Sequence, residues 1–199
     1  MKTIIKTFIG TIFISLSAIA QTNWRADASH SKIGFSISHL MISEIEGNFK
    51  IYEGHVTTNK PDIDFSGATI NFSVTASSIN TDEEKRDAHL KGPDFFDVSK
   101  YPSITFKSTS IKPTKIKGTY VLEGDLTLHG VTKSITLTAV GSKKVVKDIF
   151  SFQRYAFKVT GSINRYDFDL KWNNPLLDGG YILDEIVKLN INLELIKEN

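Results

Sequence analysis

The sequence predicts an all-β, antiparallel fold of eight strands, and three observations carry the prediction. From residue 30 onward apolar and polar residues alternate with period two, which puts every second side chain of an extended chain on one face. The alternating segments are joined by short polar or glycine-bearing connections of hairpin type. No helical period intervenes between most of them, which argues against the crossovers of a parallel sheet. Composition agrees: 199 residues, 40% hydrophobic and 23% charged, leave room for one good-sized domain. The 13 Phe, 6 Tyr and 2 Trp can offset the ordering entropy of the backbone, which argues against disorder. With no cysteine, a disulfide-stapled scaffold is excluded.

The elements follow in chain order. Lys2 and Lys6 flank a short basic start, Phe8 to Leu16 is almost wholly apolar, and Ala18, Ile19 and Ala20 form a small-x-small cleavage site. This is the pattern of a signal peptide over residues 1–20, and its apolar run is well short of the roughly 20 residues that span a bilayer. No cysteine follows the site, so a lipid-anchored form is excluded. The expected product is one domain over residues 21–199, with no stable membrane anchor, periplasmic or secreted after cleavage near Ala20. Without the two leader lysines, 22 basic residues face 22 acidic ones. That balance gives no electrostatic footprint for a phosphate backbone, so nucleic acid is not expected as a partner.

Ile33, Phe35 and Ile37 mark the first strand, and Phe49 to Val56 the second. Ala68, Ile70, Phe72 and Val74 alternate with Thr69, Asn71, Ser73 and Thr75 in the third, and Ile104 to Ser108 is the fourth. Leu122, Leu126 and Leu128 mark the fifth, Ile135, Leu137 and Ala139 the sixth, and Phe157, Val159 and Ile163 the seventh. Val187, Leu189, Ile191, Leu193 and Leu195 form the last. Each strand has one wet face, so the apolar faces either pack on a second sheet or meet by closure into a barrel, and the pattern leaves both open.

One helical interruption falls within residues 81–101. Thr81 and Glu84 read as a capping box, and Asp82 to Lys91 as a short helix ended by Gly92 and Pro93. Asp82 and Arg86 are spaced to pair, and Leu90 supplies an apolar contact. Phe95 and Phe96 then arrive together and need a buried surface. The open end of an apolar barrel would supply one, so this segment is expected to act as a plug or lid.

The polar residues point to no catalytic chemistry. His30, His39, His55, His89 and His129 lack the i, i+2 or i, i+4 spacing of paired metal ligands, and there is no H-E-x-x-H, no G-x-S-x-G elbow and no glycine-rich phosphate cradle. Asp167 and Asp169, near a turn, read as solvated or backbone-bonded carboxylates. No catalytic residue, metal ligand or cofactor is therefore expected. Arg86, Asp87 and His89 share a helix, where Arg86 and His89 face the same way; they either bond a polar head group at a barrel mouth or tie the helix to neighbouring loops. His129 and Gly130 read as a tight turn.

Several ordered blocks carry a likeness beyond these patterns. Asp27, Ser29, His30 and Ser31 open the first, followed by Phe35, Ser38, His39, Gly47 and Phe49. The most specific block runs from Ser78, Ile79, Asn80 and Thr81 through Arg86, Asp87, His89, Leu90, Phe95, Phe96 and Asp97 to Tyr101, Pro102, Ile104, Thr105 and Phe106. Gly124, Leu126 to Lys133, and then Asn164, Arg165, Asp167 and Phe168 complete it. In these residues the chain resembles the YceI-like, or polyisoprenoid-binding, family of exported bacterial proteins over essentially its whole mature length. One position departs: after Phe168 the family often has glycine, and this chain has Asp169.

What the resemblance implies is a lipocalin-like antiparallel barrel of eight strands, with a short helix in one long connection, whose interior takes a long isoprenoid or other long-chain lipid; it also allows a homodimer. Strand phase then nominates Phe35, Ile37, Phe72, Val74, Phe106, Leu126, Leu128, Phe157, Leu189 and Ile191 as the apolar lumen. His30, Arg86, His89 and Arg165 are the head-group candidates. A lipid chain of about twenty carbons would gross on the order of 16 kcal/mol on burial, much of it lost to ordering the ligand. The rival readings are a hydrolase or metalloenzyme with convergent histidines and acids, and a stress-response interaction protein whose barrel is filled and takes no ligand.

Overall fold

The computed structural model describes residues 21–60 and 63–198, so the leader expected over residues 1–20 lies outside the described residues. Strand β1 (Thr22–Ala26) and strand β2 (Lys32–His39) form one stave bent at residues 27–31. β3 (Ser43–Phe49) and β4 (Tyr52–Thr58) form the next, bent at Lys50 and Ile51. β5 (Thr69–Thr75) passes through a 3-10 turn, Ala76–Ser78, into the two-residue β6 (Ile79–Asn80). β7 (Ser103–Pro113), β8 (Thr119–Leu128) and β9 (Val131–Gly141) follow as long strands. The short β10 (Val146–Lys147) flanks β11 (Gln153–Asn164), and β12 (Leu183–Lys197) ends the barrel.

Neighbouring staves are antiparallel throughout. β12 pairs along one side with β11, from Arg154↔Ile196 to Asn164↔Ile186, and on the other with both halves of the first stave, through Trp24↔Lys197 and Ile33↔Ile191. The result is a closed eight-stranded barrel, which settles the choice between barrel and sandwich. Each of the eight alternating segments falls in a different stave. Alternation missed β1, where Trp24 is the one buried residue, and β3, where Gly47 interrupts the apolar phase between Ile45 and Phe49.

The helix α1 (Glu84–Lys91) begins two residues later than its sequence signal. Glu83, not Thr81, is the cap, its carboxylate accepting from the backbone N–H groups of Lys85 (3.1 Å) and Arg86 (2.6 Å). Thr81 is held instead by side chains further along the helix: its hydroxyl donates to Asp87 (2.6 Å) and accepts from Arg86 Nε (2.7 Å). The expected Asp82–Arg86 pair is therefore absent, and Asp82 accepts from Asn80 at 2.7 Å. Leu90 packs against the cluster of Phe49, Val74 and Ile79, and Phe96 meets the edge of Phe49 at 5.8 Å.

One barrel end is shut. Phe65, from the β4–β5 connection, turns inward, stacks on Tyr155 (5.0 Å) and meets Phe157 edge-on (4.9 Å), with Trp24 tilted alongside. Tyr120 fixes this plug by donating to the Ile63 carbonyl and accepting from the Phe65 N–H. At the other end lie three connections that matter below: the α1 segment, residues 165–182, and the β2–β3 turn. That turn places Leu40 (φ 54°) and Met41 (φ 62°) in the left-handed region, a strain of about 1–2 kcal/mol for each L-residue.

Candidate functional site

A cavity of about 540 Å³ runs along the barrel axis. All ten residues nominated by strand phase border it: Phe35, Ile37, Phe72, Val74, Phe106, Leu126, Leu128, Phe157, Leu189 and Ile191. The lumen is open despite so many rings because three of them lie flat against the wall. Phe35 covers Gly47 and Phe72 covers Gly54, each directly across a strand pair, and Phe106 covers Gly124. A side chain on any of these glycines would occupy the space of the ring above it, so the bare backbone is what keeps the phenylalanines off the axis.

Magnitude indicates what such walls favour. At roughly 24 cal/mol per Å³, on the order of 10 kcal/mol separates a filled lumen of this size from a void, comparable to the whole stability of a domain. An apolar occupant recovers much of that. The volume falls in the range of about 300–1,000 Å³ typical of pockets that bury most of a small ligand.

Charge is confined to one end. Among the described residues the lining includes Lys85, Arg86, His89, Arg165 and His39 at the mouth, and neither Asp nor Glu. Two of Arg86's three nitrogens are held by Thr81, Nε by its hydroxyl and Nη2 by its carbonyl, both at 2.7 Å. The His89 ring contacts Asp94 at 2.9 Å and stands edge-on to Phe95 and Trp172, so it joins the α1 segment to the 165–182 connection across the mouth. Arg165 is 2% exposed and donates to the carbonyls of Leu170 (2.5 Å), Asp184 (2.8 Å) and Trp172 (2.9 Å). Burial pulls its pKa below the usual guanidinium value. Its fork is committed to the fold.

Lys85 and Trp172 escaped the sequence reading. Lys85 carried a usable signal, since it lies four residues before His89 on one helix face; Trp172 carried none, because only the folded connection brings it to the mouth. Asp169 sits at φ 58°, so the left-handed backbone that glycine would favour is kept here by aspartate. His129 and Gly130 form the two-residue β8–β9 turn, both with positive φ, and the His129 ring rests on Tyr101 at 4.5 Å.

His30 departs from its expected place: it does not line the cavity. It bonds Asp27 at 2.8 Å, in a cluster where Arg154 also reaches Asp27 (2.6 Å), Glu194 (2.7 Å) and Asp148 (2.7 Å). Asp27, His30 and Glu194 approach closely enough to hold a cation, but the Arg154 guanidinium already bridges the two carboxylates. Burial would raise the Asp27 pKa; hydrogen bonds from His30, Arg154 and the Ser29 N–H outweigh it and hold the carboxyl at about 2, against 3.8 unperturbed. Because the folded value is the lower one, the stabilisation is complete above pH 4 and is lost as pH falls toward 2. It amounts to about 2 kcal/mol. Melting curves of the wild type and Asp27→Asn should therefore lie apart at neutral pH and converge between pH 4 and 2; a gap independent of pH would contradict this.

The comparisons with known proteins fit this geometry. The family model of the YceI-like domain matches residues 24–195. UPF0312 protein SA2479 of Staphylococcus aureus (strain N315) is 34% identical over 174 residues, 87% of this chain and 96% of that protein. The crystal structure of a Campylobacter jejuni YCEI protein is similar at 30% identity and TM-score 0.68, covering 87% of this chain and 96% of that one. A polyisoprenoid binding domain from Saccharophagus degradans, implicated in plant cell wall breakdown, superposes with TM-score 0.62 at 15% identity, covering 88% and 98%. That last likeness is one of fold.

Proposed function

The chain belongs to the YceI-like family, and from that premise we propose that it is a non-enzymatic binding protein whose barrel takes up a long isoprenoid or other lipid chain, for transport or storage. The observation that carries the reading is the cavity of about 540 Å³, apolar along its length and basic at one end alone. The chain lies along Phe72, Leu126 and Leu189, and a polar head group stays at the mouth beside Lys85, Arg86 and His89. Arg165 supports the mouth from behind. The polyisoprenoid-binding neighbour supports the ligand class. The open lumen speaks against a filled barrel that acts only through its outer surface. We also propose that the leader is removed near Ala20 and that the barrel works in the periplasm or outside the cell.

Displacement of a lumen-bound environment-sensitive dye by isoprenoid alcohols and fatty acids of rising length tests the reading. Affinity should climb with length, by at most roughly fourfold per buried methylene, and level off once the lumen is full. Displacement at no length, or one governed by the head group alone, would contradict it.

A further inference from the structure

Two loop tips extend the barrel wall beyond the mouth. The β2–β3 turn exposes Met41 (67%) and Ile42 (83%), and the hairpin bridged by Pro175 and Tyr181 exposes Leu177 completely and Tyr181 by 57%. They form one patch: the Leu40 N–H donates to the Ile182 carbonyl at 2.8 Å, and the Met41 side chain lies over Gly180. The first tip breaks two local rules together. Asn and Gly are the residues that suit a turn with two positive-φ positions, yet Leu40 and Met41 stand there, Leu40 half-buried and Met41 exposed.

We propose that these two tips dock the barrel mouth onto a lipid bilayer, with Met41, Ile42, Leu177 and Tyr181 entering the interfacial layer. Continuity with the cavity identifies the occupant. His39, Ile45, Ile182 and Leu183, which flank the tips in sequence, line the lumen, so a chain leaving the bilayer there meets apolar wall without crossing water. Charge at this end is mixed and largely paired: Glu44 with Lys188, Lys171 with Asp169 and His89 with Asp94, while Asp178 is exposed on the second tip and Lys85 presents a basic group at the mouth. The choice of a bilayer as the occupant rests on the carrier reading, whereas vesicle binding is measured independently of it.

The molecule supplies its own comparison. At the shut end another loop exposes Ile149 (92%) and Phe150 (73%), with Lys143, Lys144 and Lys147 beside them. Co-sedimentation with vesicles of phosphatidylethanolamine containing phosphatidylglycerol as the minor lipid is measured for the processed protein recovered after expression with its leader. Met41→Ser/Ile42→Ser/Leu177→Ser should lower partitioning at least about tenfold, and Ile149→Ser/Phe150→Ser should leave it within about twofold. Leu40→Asn/Met41→Gly should raise the melting temperature and lower partitioning together, a combination that a merely structural role for the turn would not produce.

Three results would overturn the proposal: wild-type protein that does not bind vesicles, equal or greater loss from the shut-end variant, or a wild-type dimer that the tip substitutions dissociate. Dye binding in the lumen is read on the same samples. Vesicle binding without dye binding would sink the carrier reading and spare the docking; the reverse would do the opposite.

Discussion

Gly54→Val is expected to abolish lipid retention while leaving the barrel folded. The three atoms nearest a side chain at Gly54 all belong to the Phe72 ring, which faces it directly across the β4–β5 pair. The nearest obstacle is thus a side chain and not backbone, so the ring must swing, and the space open to it is the lumen. Overpacking a dense core costs about 1–3 kcal/mol, but a ring that can turn into a cavity escapes most of that. The melting temperature should change by only a few degrees, on the order of 1 kcal/mol for a domain of this size. Ligand affinity should fall at least about tenfold, because a ring occupies the place of several methylenes. Gly54→Val/Phe72→Ala should restore binding. Gly124→Val makes the contrast: its side chain would also press on the Lys107 carbonyl at 2.6 Å, so there the loss of binding comes with a loss of stability. Full ligand affinity in Gly54→Val would show that the lumen beside Phe72 is not where the chain lies.

Arg165→Ala should give the largest loss of stability among single substitutions at the mouth. The buried guanidinium satisfies the carbonyls of Leu170, Trp172 and Asp184 and lies over the Tyr166 ring at 4.6 Å. Truncation strands the Leu170 carbonyl in a buried site and the Trp172 and Asp184 carbonyls in partly buried ones. At about 1–3 kcal/mol for each buried group left unsatisfied, the cost is roughly 4 kcal/mol, or about 10 °C in melting temperature. Arg165→Lys should recover less than half, because a single ammonium cannot reproduce the fork that spans the 168–172 turn and the start of β12. Thermal melts of the three proteins decide it, and a drop under about 3 °C for Arg165→Ala would contradict the role given to it here.

Much of the barrel was legible in the sequence because period two is a strong signal where one face is wet. Phe72, Val74, Leu126 and Leu189 fall on the inner face by phase alone. Phase cannot say whether inward residues fill the axis or line it. That depends on which residue stands across the strand pair, and Gly54 beneath Phe72 becomes visible only once register is known. The helix cap was misread for a related reason. Thr81 and Glu84 have capping-box spacing, but Glu83 is two residues closer to the helix and reaches two N–H groups, while Thr81 is drawn off by Arg86 and Asp87. His30 has its partner Asp27 only three residues away, but Arg154, which ties Asp27 to Glu194 and Asp148, lies more than a hundred residues from Asp27, so nothing local marked the pair as part of an ion cluster.

The central claim is that the barrel encloses an apolar chain. Native mass spectrometry of the protein expressed with its leader, followed by denaturation and solvent extraction, tests it most directly. The account predicts a discrete excess mass over the processed polypeptide that is lost on denaturation and recovered in the extract as a long-chain lipid. The same excess should be missing from Gly54→Val. A bare polypeptide mass, from protein that also fails to take up an added isoprenoid alcohol, would contradict it.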